Sequence, residues 1–596
     1  MLFQSMLLST FVLILCMVIG TAVAFCNSPI YCEGPILKRI QLARLFPDSK
    51  TFVDMPTSKP TQQVLAAFES IGGVNASDDE VAKFVQDNFH APATELVRYQ
   101  IPTYNVPEWM ETVEDPTYRG WLLELHKAWA NLTFHYDLSR ICEECATSTL
   151  HVLRPFVVPG GRFREFYYWD TYFVIRGLLL SDLDGLAKDM IQNLLDFVET
   201  YGFMPNGARI YYLNRSQPPL LSEMVKVYIE KTGDIEFLDT ALPILDKEYE
   251  YWSTETIVTL GDTATGERHT LNRYNVITNT PRPESYVEDY EAAYRDIDLN
   301  ETQIHELFSN LATGAETGWD YSSRWTRLKA AQDKEHGYDI LRSLNTRNVI
   351  PVDLNAILYN MEVTLSEWHK NDNPKSEFYA RQAQKRLVAI DKFLWNSDKY
   401  AFYDYNLTSQ TQNIEYTPAG LFPFWLGALP ERVKSKEVLG HVFDQTRMLL
   451  QHDPGLLATS LYETTLQWDW PNGWPPLQYV ALRAMQNIYD MIGDRSLLDL
   501  ANVLAQRNLA SAFCSWYKTG GSIPGILRQF PGSLDAGHMF EKFDVRYMGL
   551  AGSGGEYTVQ VGFGWTNGIT MWLFDSFKNV TAPDCNANFQ YPVGRR

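Results

Sequence analysis

Four stretches of the chain concentrate tryptophan, carboxylates, arginine and glycine in a way that the rest does not. They are residues 159–173 (PGGRFREFYYWDTYF), 314–325 (GAETGWDYSSRW), 467–476 (QWDWPNGWPP), and 541–568, which contains the run Gly552-Ser553-Gly554-Gly555-Glu556. Glycoside hydrolysis needs these residue types. One carboxylic acid protonates the leaving oxygen, a second carboxylate serves water or attacks directly, and aromatic walls with planar donor forks hold the ring. One such loop alone reads equally well as a plug of packed tryptophan with ion pairs at its rim. Four on one chain point to a shared cavity. Competing chemistries lack their spacing: the 11 histidines form no His-x-x-x-His or Cys/His zinc pattern, and no Gly-x-Ser-x-Gly elbow or phosphate loop occurs.

Loops this far apart in sequence need a scaffold that gathers them. Leu183, Leu186, Met190, Leu194, Phe197 and Tyr201 recur three or four apart and are followed by Gly202, which predicts an amphipathic helix with a glycine stop. Leu221, Met224, Val225 and Tyr228 repeat the spacing up to Gly233, after which Asp234 is the predicted cap of a helix over 235–252. The same grammar returns at Gly493-Asp494, between helices predicted over 479–491 and 496–513, and more loosely at 371–374, between 352–368 and 377–394. No long stretch alternates with period two, so the expected class is all-α, built of helical hairpins repeated around an axis. Residues 25 to about 150 read as a helical approach segment broken by prolines, and no Ser/Gly/Pro-rich linker or charge block divides the chain.

The chain has 596 residues and a net charge of −21, which argues against nucleic acid or an anionic membrane as its main partner. Residues 1–24 carry no charge, are apolar over 6–19 apart from Ser9 and Thr10, and end in Ala22-Val23-Ala24. They read as a cleaved signal peptide, an uncleaved anchor being the alternative. Removing them leaves Cys26, Cys32, Cys142, Cys145, Cys514 and Cys585, an even count suited to disulfides. Cys26 with Cys32 is the preferred pair, Cys142-Glu-Glu-Cys145 reads as a tight bridge or a redox motif, and the full connectivity is not legible. Sequons at Asn75, Asn131, Asn300, Asn406 and Asn579 are glycosylation candidates, and residues 588–596 carry no apolar tail for a span or lipid anchor. The expected location is extracellular. Oligomeric state is not legible.

The stretches 159–173, 467–476 and 552–565 closely resemble the two signature motifs and the glycine-rich motif of glycoside hydrolase family 37, the trehalases. The resemblance runs from about residue 25 to about 575. It implies one (α/α)6 barrel, a six-hairpin toroid with its site in a loop-lined cavity, over residues 25–596. It also implies hydrolysis of the small-molecule substrate α,α-trehalose to two glucoses with inversion, and no cofactor or metal. Position by position, Asp320 matches the general acid and Glu541 the general base. Arg162, Trp169, Asp170, Asn206, Arg215, Arg282, Glu284, Gly318 and Glu556 match positions that hold the disaccharide, with Ser216, Gln217 and Pro283 inside the same segments. Inversion requires carboxyls roughly 6.5–9.5 Å apart. Asp320 must begin protonated, which burial under Trp319, Trp325 and the glycine run, together with the charge of Glu541, would favour. A glucoamylase-like hydrolase of the same fold and a sugar-binding protein without turnover are the other readings. Asn214, beside Arg215, is expected to stay unglycosylated.

Overall fold

The computed structural model describes residues 26–586 apart from 103, 263–264 and 333–336, so the proposed signal peptide and the last ten residues lie outside it. Helices dominate. Six inner helices form a ring: α2 (Tyr168–Leu180), α4 (Leu221–Thr232), α6 (Val352–Trp368), the short α8 (Phe422–Leu426), α10 (Pro475–Ile492) and α12 (Gly564–Ser576). Each packs on the next, and α12 closes the circle against α2. Outside lie α1 (Pro116–Leu132), α3 (Asp184–Tyr201), α5 (Phe237–Thr254), α7 (Asn373–Phe393), α9 (Lys436–His441) and α11 (Arg495–Lys518). This is the expected (α/α)6 toroid.

Inner and outer helices differ in composition as their positions demand. Every residue of α2 except Arg176 and Leu180 is buried, whereas α3 buries one stripe. A Cβ on Gly568 of α12 would lie 2.1 Å from the Phe173 carbonyl of α2, so glycine lets the two backbones close the ring.

The two ends of the ring differ. Inner helices return to outer ones through turns at 181–183, 233–236, 369–372, 427–435 and 493–494. Outer helices reach inner ones through connections 133–167, 202–220, 255–351, 394–421, 453–474, which follows a further helix Asp444–His452 after α9, and 519–563. All the chemistry-bearing stretches lie on, or just after, these long connections.

Several sequence expectations shift. Asp494 caps α11 as expected, its side chain accepting from the Ser496 N–H at 3.0 Å. Asp234 does not cap α5, which begins two residues later than predicted at Phe237. Its carboxylate instead accepts from Lys188 at 2.6 Å and Tyr228 at 2.9 Å, so a charged partner on α3 outcompetes the cap. Helix α7 starts four residues early because Asp372 caps it with Pro374 in the first turn. The barrel begins at Pro116 rather than near 150. Short strands also occur, the longest being the hairpin Ile257–Gly261 with Arg268–Asn272.

Three disulfides join Cys26–Cys32, Cys142–Cys145 and Cys514–Cys585. The second is therefore a tight bridge, and the third ties the end of α11 to the tail beyond α12. The N-terminal layer has its own core of Ile36, Leu37, Phe52, Phe68, Val81 and Phe84, set against Tyr167, Tyr211, Tyr212 and Tyr286 of the barrel connections. Among the described residues no helix is long and apolar enough to cross a membrane.

Candidate active site

A cavity opens where five of the six long connections converge. Of the residues singled out in the sequence, Arg162, Trp169, Asp170, Asn206, Gln217, Arg282, Glu284, Gly318, Asp320, Glu541 and Glu556 line it. Arg215, Ser216 and Pro283 do not. Arg215 stands behind the wall, its guanidinium on the Glu284 carboxylate and, at 2.7 Å, on the Asn214 side chain. Ser216 turns inward, its hydroxyl donating to the Met204 carbonyl at 2.6 Å. Pro283 lines a separate recess with Asn214 and the Cys26–Cys32 bridge.

Asp320 follows the helix Glu301–Glu316 and a tight turn. Gly318 makes that turn possible: its φ is +74°, and a Cβ there would meet the Trp169 indole at 3.0 Å. Downstream, the buried Asp469 carboxylate accepts from the Ser322 hydroxyl at 3.0 Å and from the Ser323 N–H at 2.8 Å, fastening this connection to the 453–474 connection. Trp319 stacks on Trp468 at 5.3 Å, and Trp468 on Trp474 at 3.8 Å, so the wall beside the acid is a column of indoles. Burial pushes the Asp320 carboxyl up to about 7. The neighbouring charge that adds most to this is Glu556, with Arg282 opposing. The sequence alone points to Glu541 for that part. The glycine connection folds its own carboxylate toward the acid, which the linear sequence does not reveal.

Glu541 is 1% exposed and lies just before the strand Phe543–Asp544, which pairs antiparallel with Asn472–Gly473 and so joins the two tryptophan- and glycine-rich stretches. Its carboxylate accepts from the Gln560 N–H and from Lys542 Nζ, both at 3.1 Å. Asp170 sits in the first turn of α2. Burial raises its carboxyl to about 8, with the charges of Glu541 and Asp320 adding to the effect, so it lies within electrostatic reach of both.

The arginines occupy carboxylate-rich settings. Arg282 grips Asp289 with Nε and Nη2, at 2.9 and 2.6 Å, and reaches Glu556 with Nη2 at 2.8 Å. Arg162 donates from Nη2 to Asp48 at 2.8 Å and lies over the Tyr557 ring at 4.6 Å. Arg162 Nε and Glu284 Oε2 are buried without a hydrogen-bond partner. Such atoms are costly to leave unpaired, about 1–3 kcal/mol each, and a polyhydroxylated ligand supplies what they need.

Sequence reasoning missed part of the wall. Phe163, Tyr167, Tyr557 and Phe563 fall inside motifs already singled out, so their aromatic character was the available signal. Lys50 had none. It lies in the N-terminal layer, paired with Asp54 at 2.6 Å and Glu165 at 2.7 Å, yet it lines the cavity.

A helical barrel with carboxyl side chains gathered on one aromatic-walled cavity, that of Asp320 pushed up to about 7, has the make-up of a glycoside hydrolase. The trehalase family profile matches residues 44–578. Trehalase from Dictyostelium discoideum is 39% identical over 585 residues, covering 95% of this chain and 93% of the relative. Human trehalase is 36% identical, covering 93% and 90% respectively. The solved structure of neutral trehalase from Saccharomyces cerevisiae is similar in fold, with a TM-score of 0.52 at 23% identity over 72% of this chain and 74% of that one. The chain belongs to the trehalase family.

Proposed function

We propose that the chain hydrolyses α,α-trehalose to two molecules of glucose with inversion at the attacked carbon. The observation that carries this reading is the unequal pair on one cavity: Asp320, pushed to about 7, and Glu541, set beside an ammonium. Asp320 gives its proton to the glycosidic oxygen as the bond to the anomeric carbon breaks. Glu541 takes a proton from the water whose oxygen bonds to that carbon. One glucose leaves with its α configuration, the other forms as β, and solvent returns the proton from Glu541 to Asp320.

Arg162, Asp170, Asn206, Gln217, Arg282, Glu284 and Glu556 hold the sugar hydroxyls, while Trp169 forms an aromatic wall with Gly318 against it. Arg215 acts from behind through Glu284. Residues 25–596 act as one catalytic unit, since the N-terminal layer contributes Lys50 to the cavity wall and Asp48 to Arg162. Residues 1–24 direct export and are removed, a reading that the three disulfides support.

Proton NMR of the anomeric signals during turnover of α,α-trehalose tests the reading. Equal early amounts of α- and β-glucose are expected. Early α-glucose alone would mean retention and turn Glu541 into a nucleophile, and absence of cleavage would overturn the proposal.

A further inference from the structure

Lys542 follows the proposed base directly, and its side chain is 0% exposed. A desolvated ammonium is unfavourable unless it is paired, so its partners indicate its purpose. Nζ lies 3.1 Å from the Glu541 carboxylate and donates to Gln467 Oε1 at 2.7 Å. The rings of Trp474 and Tyr557 face it at 5.0 and 5.5 Å. Gln467 in turn donates from Nε2 to the main-chain carbonyl of Asp320 at 2.7 Å. One chain of contacts therefore runs from the acid's backbone through Gln467 and Lys542 to the base. The glycine run rests on the middle of it. A Cβ on Gly552 would lie 2.7 Å from Lys542 Cγ, and one on Gly555 would lie 2.8 Å from the Gln467 side chain.

Building on the proposed roles of Asp320 and Glu541, we infer that Lys542 is a positioning residue: through Gln467 it holds the base carboxylate in register with the acid. The groups facing Glu541 are the Gln560 N–H, Tyr557, Asp170 on α2 and Lys542 itself. Of these, Lys542 is the cation in contact with its carboxylate. Without the ammonium, that carboxylate loses a favourable charge contact and one of its two hydrogen-bond donors.

The test is the pH dependence of kcat and kcat/KM on α,α-trehalose for the full chain carrying K542M, K542R, Q467A or E541Q. K542M keeps the stem under Gly552 and removes the charge. It is expected to lower kcat about 10-fold or more near pH 6 with little change in KM, and to move the acidic limb up by about one unit. K542R is expected to hold the limb in place. Q467A keeps the ion pair and cuts the link to Asp320; a kcat loss of about 5-fold with an unmoved limb is expected. A K542M profile matching that of the parent overturns the inference. If K542M does not fold, parental kcat in Q467A overturns it instead. An active E541Q would sink the base assignment itself, whereas an inactive E541Q beside a parental K542M would sink this inference alone.

Discussion

One end of the barrel is made of turns and the other of long connections, and the contrast separates what holds this protein together from what lets it act. At the turn end, Gly233, Gly427 and Gly493 each terminate an inner helix with a left-handed residue. The signals there are local, and no residue of the turns 181–183, 233–236, 369–372, 427–435 or 493–494 lines the cavity. At the other end, the 255–351 connection supplies Arg282, Glu284 and Asp320, the 519–563 connection supplies Glu541 and Glu556, and contacts between connections set their geometry. Backbone at this end is fixed by side chains from elsewhere in the chain. That freedom from local helix grammar lets five connections build one site.

The sharpest way to break the contrast is at the carboxyls. D320N and E541Q are each expected to lower kcat by at least about 10², with melting temperatures near that of the parent, because neither residue packs the ring. Near-normal turnover in a folded variant would end the assignment of that residue. The pH profile comes next. Because Asp320 titrates at about 7 and acts protonated, the rate is expected to fall as pH rises through that value. Glu556 raises Asp320, so E556Q is expected to move this basic limb to lower pH. A limb that stays put or moves upward would show that Glu556 is not the charge acting on the acid.

The turn end offers the complementary test. Gly493 has φ +68° with nothing within 4 Å of an added Cβ, so G493A meets backbone strain alone. A loss of about 1 kcal/mol in stability with unchanged kcat/KM is expected. A change in turnover would couple the two ends and break the distinction.

Asp170 ties stability to pH. Its folded pKa, about 8, lies above that of a free carboxyl near ~3.9, so between these values the folded state binds more protons than the unfolded one. Its contribution is complete below the unfolded value and is lost as pH rises through about 8. D170N is therefore expected to flatten the decline in melting temperature from pH 5 to 8, and an unchanged slope would count against it. Least of all in effect, peptide mapping is expected to find Asn214 without glycan, since its side chain accepts from Arg215 at 2.7 Å.

Legibility in the sequence followed the same division. The spans of α3, α4 and α6 matched their periodicity within a residue or so, because burial of one stripe and a glycine stop are encoded within a few turns of helix. Asp234 shows the limit even there: its type suited a cap, but Lys188 and Tyr228 claimed it. Eleven of the fourteen positions singled out line the cavity; seven of these fall in the four motif-rich stretches, whereas Asn206, Gln217, Arg282 and Glu284 lie outside them and were named by the family resemblance alone.

The sequence by itself determined the helical hairpins, the loops rich in carboxylates and aromatic residues, and the acid balance, since composition and short-range spacing carry them. Only the tertiary structure decided which carboxylate acts on Asp320, that Arg215 stands behind Glu284, and that Asp48 and Lys50 from outside the ring reach the site. Electrostatic influence depends on distance and burial, and residues separated by hundreds of positions come within a few ångströms only when the ring closes.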